Sequence, residues 1–378
     1  MSRSFFLLAG ETSGDKLGAE LMTALETRYP ESGFYGMGGP HMMSQGLISH
    51  EDMSQLSIMG ISEVIAAYSR LQKLADRLVK QVIANRPDAI FTIDSKAFSV
   101  RFAKKLRKEM RRVNYHAPII HMVAPTIWAW GAWRKTAFED SFDGLLCLFP
   151  FEPSLFDANK IQADFIGHPV AYKNQVNISQ RSTNIVGLLP GSRRSEIRYI
   201  LPDMLAAAQD IATSRPGTEF VLPTLPHLED EISDRIAMSE LPIKILSEND
   251  AFSTLLRQAS VCMAASGTVT LELALNAMPT VTCYKVSKLN YLFMRGLFKL
   301  KDPILPHILM QEPIFPYFEQ SRQTGESLAA ASLNILESLP AQTNSVAKSA
   351  SKLHSLLTGG QTSFQMQLQS VLERQLHL

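Results

Sequence analysis

Cysteine is scarce. Only Cys147, Cys262 and Cys283 occur, far apart in apolar runs, with neither a CxxC pair nor a histidine at metal-ligand spacing beside them. That scarcity excludes a disulfide scaffold and a zinc ribbon, and it predicts buried, reduced thiols and a cytoplasmic address. Net charge is scarce too: 37 Lys and Arg against 36 Asp and Glu leave +1, so no global field recruits nucleic acid or an acidic partner. No apolar run reaches the roughly 18 residues of a membrane span. The N-terminal apolar stretch ends after Phe5 to Ala9, with Glu11 just beyond, and reads as a first buried strand rather than a secretory signal. No histidine pair shares a helix face and no acidic pair suits a cation, so neither a catalytic metal nor a cofactor is expected.

What the sequence does have is apolar material, 46% hydrophobic against 19% charged over 378 residues, enough for two buried cores. Short apolar runs alternate with longer amphipathic stretches, the pattern of parallel sheets covered by helices. Strands are expected at Phe5 to Ala9, Ala89 to Asp94, Pro118 to Val123, Leu145 to Phe149, Ile185 to Leu189, Phe220 to Leu222, Ile243 to Leu246, Val261 to Ala265 and Thr280 to Tyr284. Helices are expected over Asp15 to Arg28, Val64 to Asn85, Ser99 to Arg112, Met204 to Ser214, Ala251 to Gln258 and Thr268 to Asn276. Ala171 to Asn184 is polar and aperiodic and separates two βα series. The expectation is an α/β protein of two Rossmann-like, doubly wound domains, residues 1–172 and 184–345, facing an interdomain cleft, with a helical segment 346–378 that packs back on the first domain.

Four glycine-bearing turns invite a ligand. Gly10-Glu11-Thr12-Ser13-Gly14-Asp15 follows the first strand and opens a helix, with Ser13 and Asp15 as natural caps; a ligand loop and a plain βα turn both fit. Gly36-Met37-Gly38-Gly39-Pro40 carries the same ambiguity. Pro190-Gly191-Ser192-Arg193 ends the first strand of the second half. Its glycine permits close approach, Ser192 can donate to phosphate, and Arg193 offers a planar fork to phosphate oxygens. Ser266-Gly267-Thr268 repeats that logic at a later strand exit, with Glu272 one turn on as either a ribose acceptor or an exposed helix carboxylate. Two anion-binding turns in one half point to a nucleoside diphosphate, although neither is a P-loop or a full GxGxxG.

Asp94 closes the strand Ala-Ile-Phe-Thr-Ile-Asp, where it is either a general base or a cap for the helix expected from Ser99. His168 orients a cleft residue or serves as a hinge histidine. Between Val64 and Val113 thirteen basic residues face four acidic ones, and the expected helix from Ser99 carries an apolar stripe of Phe102, Leu106 and Met110 among lysines and arginines. That face is either simply solvated or turned to an anionic membrane. Leu56 to Ile61, with Val64, Ile65 and Tyr68, holds apolar side chains for acyl chains or for the core.

Taken in order, Ala9 to Asp15, Gly36 to Pro40, Leu56 to Val64, Trp128-Ala129-Trp130, Phe149-Pro150-Phe151-Glu152, Gly167-His168-Pro169, Leu189 to Arg193 and Ser266 to Thr268 resemble the lipid-A-disaccharide synthase family from Leu8 to about Gln320. The resemblance implies a GT-B fold and an inverting, metal-independent glycosyltransferase. It would join a UDP-2,3-diacylglucosamine donor to a 2,3-diacylglucosamine 1-phosphate acceptor and release UDP at the inner face of a Gram-negative cytoplasmic membrane. Residues 1–172 then face acceptor and membrane, and 184–345 hold the UDP-sugar. The implied catalytic set is Asp94, Glu11 and Arg193, and the implied nucleotide set is Gly191, Ser192, Arg193, Ser266, Gly267, Thr268 and Glu272. Expected partners are the two acylated sugars, an anionic membrane and a second copy in a homodimer, with no nucleic acid. Departures from the family pattern fall at Lys96 and Ala97, Gly131, His307 and Tyr317. They keep open another GT-B enzyme, an epimerase or a murein-precursor transferase, and a non-catalytic UDP-sugar-binding paralogue.

Overall fold

A computed structural model of the chain describes residues 3–56, 61–173, 181–239, 241–248, 250–288, 290–292 and 302–376, with the side chains of 61–67 outside that description. Ser57 to Gly60 and the side chains of Ile61, Val64 and Ile65, part of the stretch read above as an acyl-chain or core surface, therefore lie outside the described residues. So does half of the expected linker, 174–180. The described chain forms two compact units, Met1–Tyr172 with Leu357–Leu378, and Lys173–Leu356.

In chain order the first unit runs β1 (Ser4–Ala9), α1 (Thr12–Arg28), β2 (Gly33–Met37), α2 (Pro40–Ser44), β3 (Ile48–Ser49), α3 (Ile61–Asn85), β4 (Ala89–Ile93), α4 (Lys96–Arg112), β5 (Ile119–Met122), α5 (Arg134–Glu139), β6 (Gly144–Cys147) and β7 (Gln162–Phe165). The second continues with β8 (Ile185–Leu189), α6 (Arg194–Ser214), β9 (Glu219–Pro223), α7 (Glu229–Ile236), β10 (Ile243–Leu246), α8 (Ala251–Gln258), β11 (Val261–Ala265), α9 (Thr268–Leu275), β12 (Thr280–Tyr284), α10 (Leu305–Met310), β13 (Tyr317–Glu319) and α11 (Gly325–Glu337). Then come α12 (Leu339–Thr358) and α13 (Phe364–Leu376).

Each unit holds one sheet, ordered β3-β2-β1-β4-β5-β6-β7 in the first and β10-β9-β8-β11-β12-β13 in the second. All the described pairings are parallel. In both sheets the order reverses beside the unit's first strand, between β1 and β4 and between β8 and β11. Loops leaving those two strands diverge to opposite faces, and this is where doubly wound sheets open a crevice at the strand C-termini.

Successive side chains of a strand point to opposite faces, so a sheet covered on both sides needs every position apolar. Phe5, Leu7 and Ala9 enter one core with Leu21 and Leu25 of α1, whereas Phe6 and Leu8 enter the other with Phe102 and Leu106 of α4. The three thiols are buried and free, with burial pushing that of Cys262 up to about 12. No described helix is long and apolar enough to cross a membrane.

Several elements depart from expectation. Helix α6 begins at Arg194, ten residues before Met204, and runs through Pro202. Proline forfeits one hydrogen bond, but Ile197, Ile200, Leu201 and Met204 form a continuous buried stripe that carries the helix past it. Strands β2, β3, β7 and β13 have no counterpart among the expected ones: they are short, with glycine or polar residues breaking the apolar run. Asp15 does not cap its own helix. It is fully buried and accepts the amides of Gly39 (2.8 Å), His41 (2.9 Å) and Met42 (3.0 Å), so it caps α2 and takes the Gly39 donor of the second glycine cluster.

Helix α13 completes the first unit's core: Leu368, Val371 and Leu372 are at most 2% exposed and share a cluster with Leu21 and Leu25. Leu372→Ala should destabilise this unit by about 2–5 kcal/mol, the range for emptying a leucine site in a packed core. Urea unfolding checks this; a loss below about 1 kcal/mol would mean that α13 is only loosely attached.

Candidate active site

The second unit concentrates its candidate residues at its switch point. Gly191, Ser192 and Arg193 leave β8, Ser266 and Gly267 leave β11, and both turns line one cavity of about 650 Å³. Gly191 has φ +116°, a conformation that favours glycine, and a Cβ there would strike the Glu196 side chain. Arg193 is the N-cap of α6, its side chain 72% exposed at the cavity wall. Gly267 caps α9 in extended conformation, so that helix also points its first amides into the cavity. Ser266 is held by its own amide to Cys283 O (2.8 Å) and by its hydroxyl to Pro303 O (3.4 Å). Glu272 is not among the lining residues, and its carboxylate lies 3.9 Å from Lys173 Nζ.

Sequence reasoning missed part of that wall. Thr224 and Leu225 follow β9, and Glu248, Ala251 and Phe252 follow β10. The available signal was their place just past strand C-termini. This gives an apolar and polar flank beside an anion cradle, the surroundings a base and ribose need.

The first unit shows a parallel arrangement. Asp94 and Ser95 leave β4 with φ of +49° and +42°, two adjacent non-glycine residues in the left-handed region, which costs energy and bends the chain sharply out of the sheet. Ser95, not Asp94, is the N-cap of α4, which starts at Lys96 rather than Ser99. Asp94 Oδ1 accepts Lys96 Nζ at 2.6 Å, both side chains about a quarter exposed. Glu11 is exposed at the N-cap of α1, at the exit of the strand paired with β4. A Cβ on Gly10 would strike Ser95 Oγ and Leu56, so that glycine lets the two exits approach.

Glu152, quoted above only as part of a motif, is the chemically unusual group here. It is 2% exposed, its carboxylate accepting Phe149 N–H (3.1 Å) and Trp128 Nε1–H (3.4 Å). Burial pushes its pKa up to about 7 against those hydrogen bonds and the Lys96 charge. It thereby ties the exit of β6 to the Trp128 loop after β5. In that loop Arg134 Cζ lies 4.0 Å from the Trp130 ring centroid, and Arg134 donates to the Trp130 carbonyl (2.8 Å). His121, on β5, is fully buried, bonded to Thr92 Oγ1 (2.7 Å) and pushed down to about 3 by burial. His168 is joined by its amide to Leu357 O (2.9 Å) and stacks on Phe149. Among the described residues no group of three or more His, Cys, Asp or Glu is placed to hold a metal ion.

Between pH 4.5 and about 7 the fold keeps on Glu152 a proton that the unfolded chain releases. Its contribution is full below the lower value and lost as pH rises through the upper one. Glu152→Gln should therefore gain stability relative to the parent on going from about pH 5 to about pH 8, by urea midpoints. His121 has the opposite sign but is common to both proteins, so their difference isolates Glu152; an unchanged difference contradicts the assignment.

Comparison with known proteins agrees with this architecture. A family model described as lipid-A-disaccharide synthetase matches residues 5–370. A lipid-A-disaccharide synthase of Rhodospirillum centenum is 35% identical over 339 residues, covering 86% of this chain and 83% of its own. Among solved structures, sucrose-phosphate synthase of Thermosynechococcus elongatus superposes with a TM-score of 0.61 at 12% identity, over 99% of both chains. UDP-GlcNAc 2-epimerase of Neisseria meningitidis bound to UDP-GlcNAc superposes with a TM-score of 0.62 at 10% identity, over 100% of both. At such identities the structures speak for the fold, two Rossmann-like units of GT-B type. Sequence similarity along nearly the whole chain makes this protein a member of the lipid-A-disaccharide synthase family.

Proposed function

We propose that the chain condenses UDP-2,3-diacylglucosamine with 2,3-diacylglucosamine 1-phosphate, giving a tetraacyl disaccharide 1-phosphate and UDP. The observation that carries this reading is the convergence of the β8 and β11 exit turns on one cavity, two backbone anion cradles and an arginine within a single Rossmann-like unit. A diphosphate is the ligand that uses both turns, and family membership supplies the sugar and acyl chemistry.

In the reaction, Asp94 takes the proton of the acceptor's primary hydroxyl as that oxygen attacks the anomeric carbon of the donor. The bond from that carbon to the diphosphate oxygen breaks, its electron pair leaves with UDP, and the anomeric configuration inverts in the single displacement. Arg193 and the first amides of α9 oppose the charge growing on the diphosphate, a stabilisation that typically contributes roughly 10²–10³ in rate per donor. Lys96 holds Asp94 Oδ1, so Oδ2 is the oxygen assigned the acceptor's proton. Glu11, at the neighbouring strand exit, is assigned to the acceptor hydroxyls, and Glu272 to a ribose contact.

Incubation with both acylated sugars and mass analysis of the product tests the activity. Disaccharide formation is expected, and UDP binding without it would select the non-catalytic reading. Asp94→Asn should lower kcat by roughly 10²–10⁴, the share of general-base catalysis, while the Kd for UDP stays within about twofold. Unchanged turnover removes Asp94 from the chemistry.

The exposed side of α4 is proposed to face anionic lipid. Lys104, Lys108, Arg111 and Arg112 are exposed there, while Phe102 and Leu106 are buried in the core, so attraction rests on charge. Sedimentation with anionic vesicles should fall steeply as salt rises, since about 0.1 M salt screens charges beyond about 10 Å. Salt-independent binding would rule the face out.

A further inference from the structure

The turn leaving β8 already carries an anion, and it belongs to the chain. Glu196 Oε2 accepts the amide hydrogens of Ser192 (2.8 Å) and Arg193 (3.2 Å), and Oε1 accepts Arg193 Nη1–H (2.9 Å). Two strand-exit amides and a guanidinium are the donors a phosphate group takes at such a turn. Gly191 is shaped around this carboxylate, since any side chain there would meet it.

The first unit supplies the contrast. Asp15 likewise occupies a glycine-rich nest, on the amides of Gly39, His41 and Met42, but it is fully buried and serves as a permanent strut. Glu196 instead lines the cavity, together with Ser192, Arg193 and the opposing Ser266 turn, and the arginine that clasps it is largely exposed. A carboxylate on a cradle that opens into a ligand cavity can be exchanged for a ligand anion. Nothing comparable opens onto Asp15 among the residues that hold it.

We infer that Glu196 is a built-in competitor for the donor's diphosphate: it holds the Ser192–Arg193 cradle in the absence of nucleotide and is displaced when a nucleoside diphosphate arrives. This rests on the reading of the second unit as the UDP-sugar site. Occupation by Glu196 lowers the fraction of molecules with an open cradle, and apparent affinity falls in proportion to that fraction. Donor and product are taxed alike, so the return of the carboxylate after transfer helps to expel UDP. Glu196 is in this sense an affinity-setting residue and not a catalytic one.

The test measures UDP binding by calorimetry to the full chain and to its Glu196→Gln variant. Glutamine keeps the shape and one acceptor oxygen for the turn but loses the charge, and hydrogen bonds to a charged group are about twice as strong as neutral ones. The expected result is a Kd for UDP about tenfold lower in the variant, with product inhibition by UDP tightened in the same proportion. Equal or weaker binding by a variant that melts like the parent overturns the inference, because a carboxylate that only orders the turn gives that result. Glu196→Ala is the second arm: tighter UDP binding despite a lower melting temperature supports displacement, and looser binding contradicts it. If neither the parent nor Glu196→Gln binds UDP, the donor-site reading fails and takes the inference with it. Measurable parent binding with no gain in the variant overturns the inference alone.

Discussion

Backbone amides left without partners where a parallel sheet reverses its strand order are the constraint on which this protein is built. At each reversal two neighbouring strands send their chains to opposite faces, and the N–H groups of the loops and of the following helices find no partner in the ladder. Something acidic must meet them. At the second unit's reversal the chain answers with Glu196 on the turn before α6 and leaves the first turn of α9 facing the cavity, while away from the first unit's reversal, at the exit of β2, Asp15 meets the nest before α2 in the same way. Structural cap and ligand cradle are thus the same physical object, distinguished by what lies in front of it.

The first unit applies the constraint differently. Its β4 exit carries a carboxylate on two successive left-handed residues, and a lysine sits in the first turn of α4, where the helix dipole disfavours a cation. Pairing with Asp94 offsets that placement. The Lys96 charge also reaches Glu152 and His121, two buried groups that burial drives in opposite directions, one toward holding a proton and the other toward losing it. The ends of β4, β5 and β6 are therefore linked electrostatically, and a change at position 96 is felt beyond Asp94.

Much of this was legible in the sequence because the strongest signals are local. Central strands such as Phe5 to Ala9 and Val261 to Ala265 must be apolar on both faces, and the exit turns need glycine and small residues next to a helix start. The edge strands β3, β7 and β13 escaped because one exposed side frees them from the apolar rule, as in Gln162 to Phe165. The start of α6 escaped because a proline at 202 outweighs, in a local reading, a stripe whose partners are distant in sequence. The site was readable where one turn builds it and unreadable where it is assembled from afar: Thr224, Glu248 and Phe252 join the cavity through sheet order, and Glu152 acquires its raised pKa from burial. Asp15 is the instructive case, a capping residue by type whose helix lies on the next strand's loop.

The central claim is that the nucleotide rests on the amides at the second unit's strand reversal. Amide hydrogen exchange with and without saturating UDP tests it most directly. Slowed exchange concentrated in residues 190–197 and 266–270 is the predicted result. Protection that appears elsewhere while those two segments exchange at an unaltered rate would contradict the account.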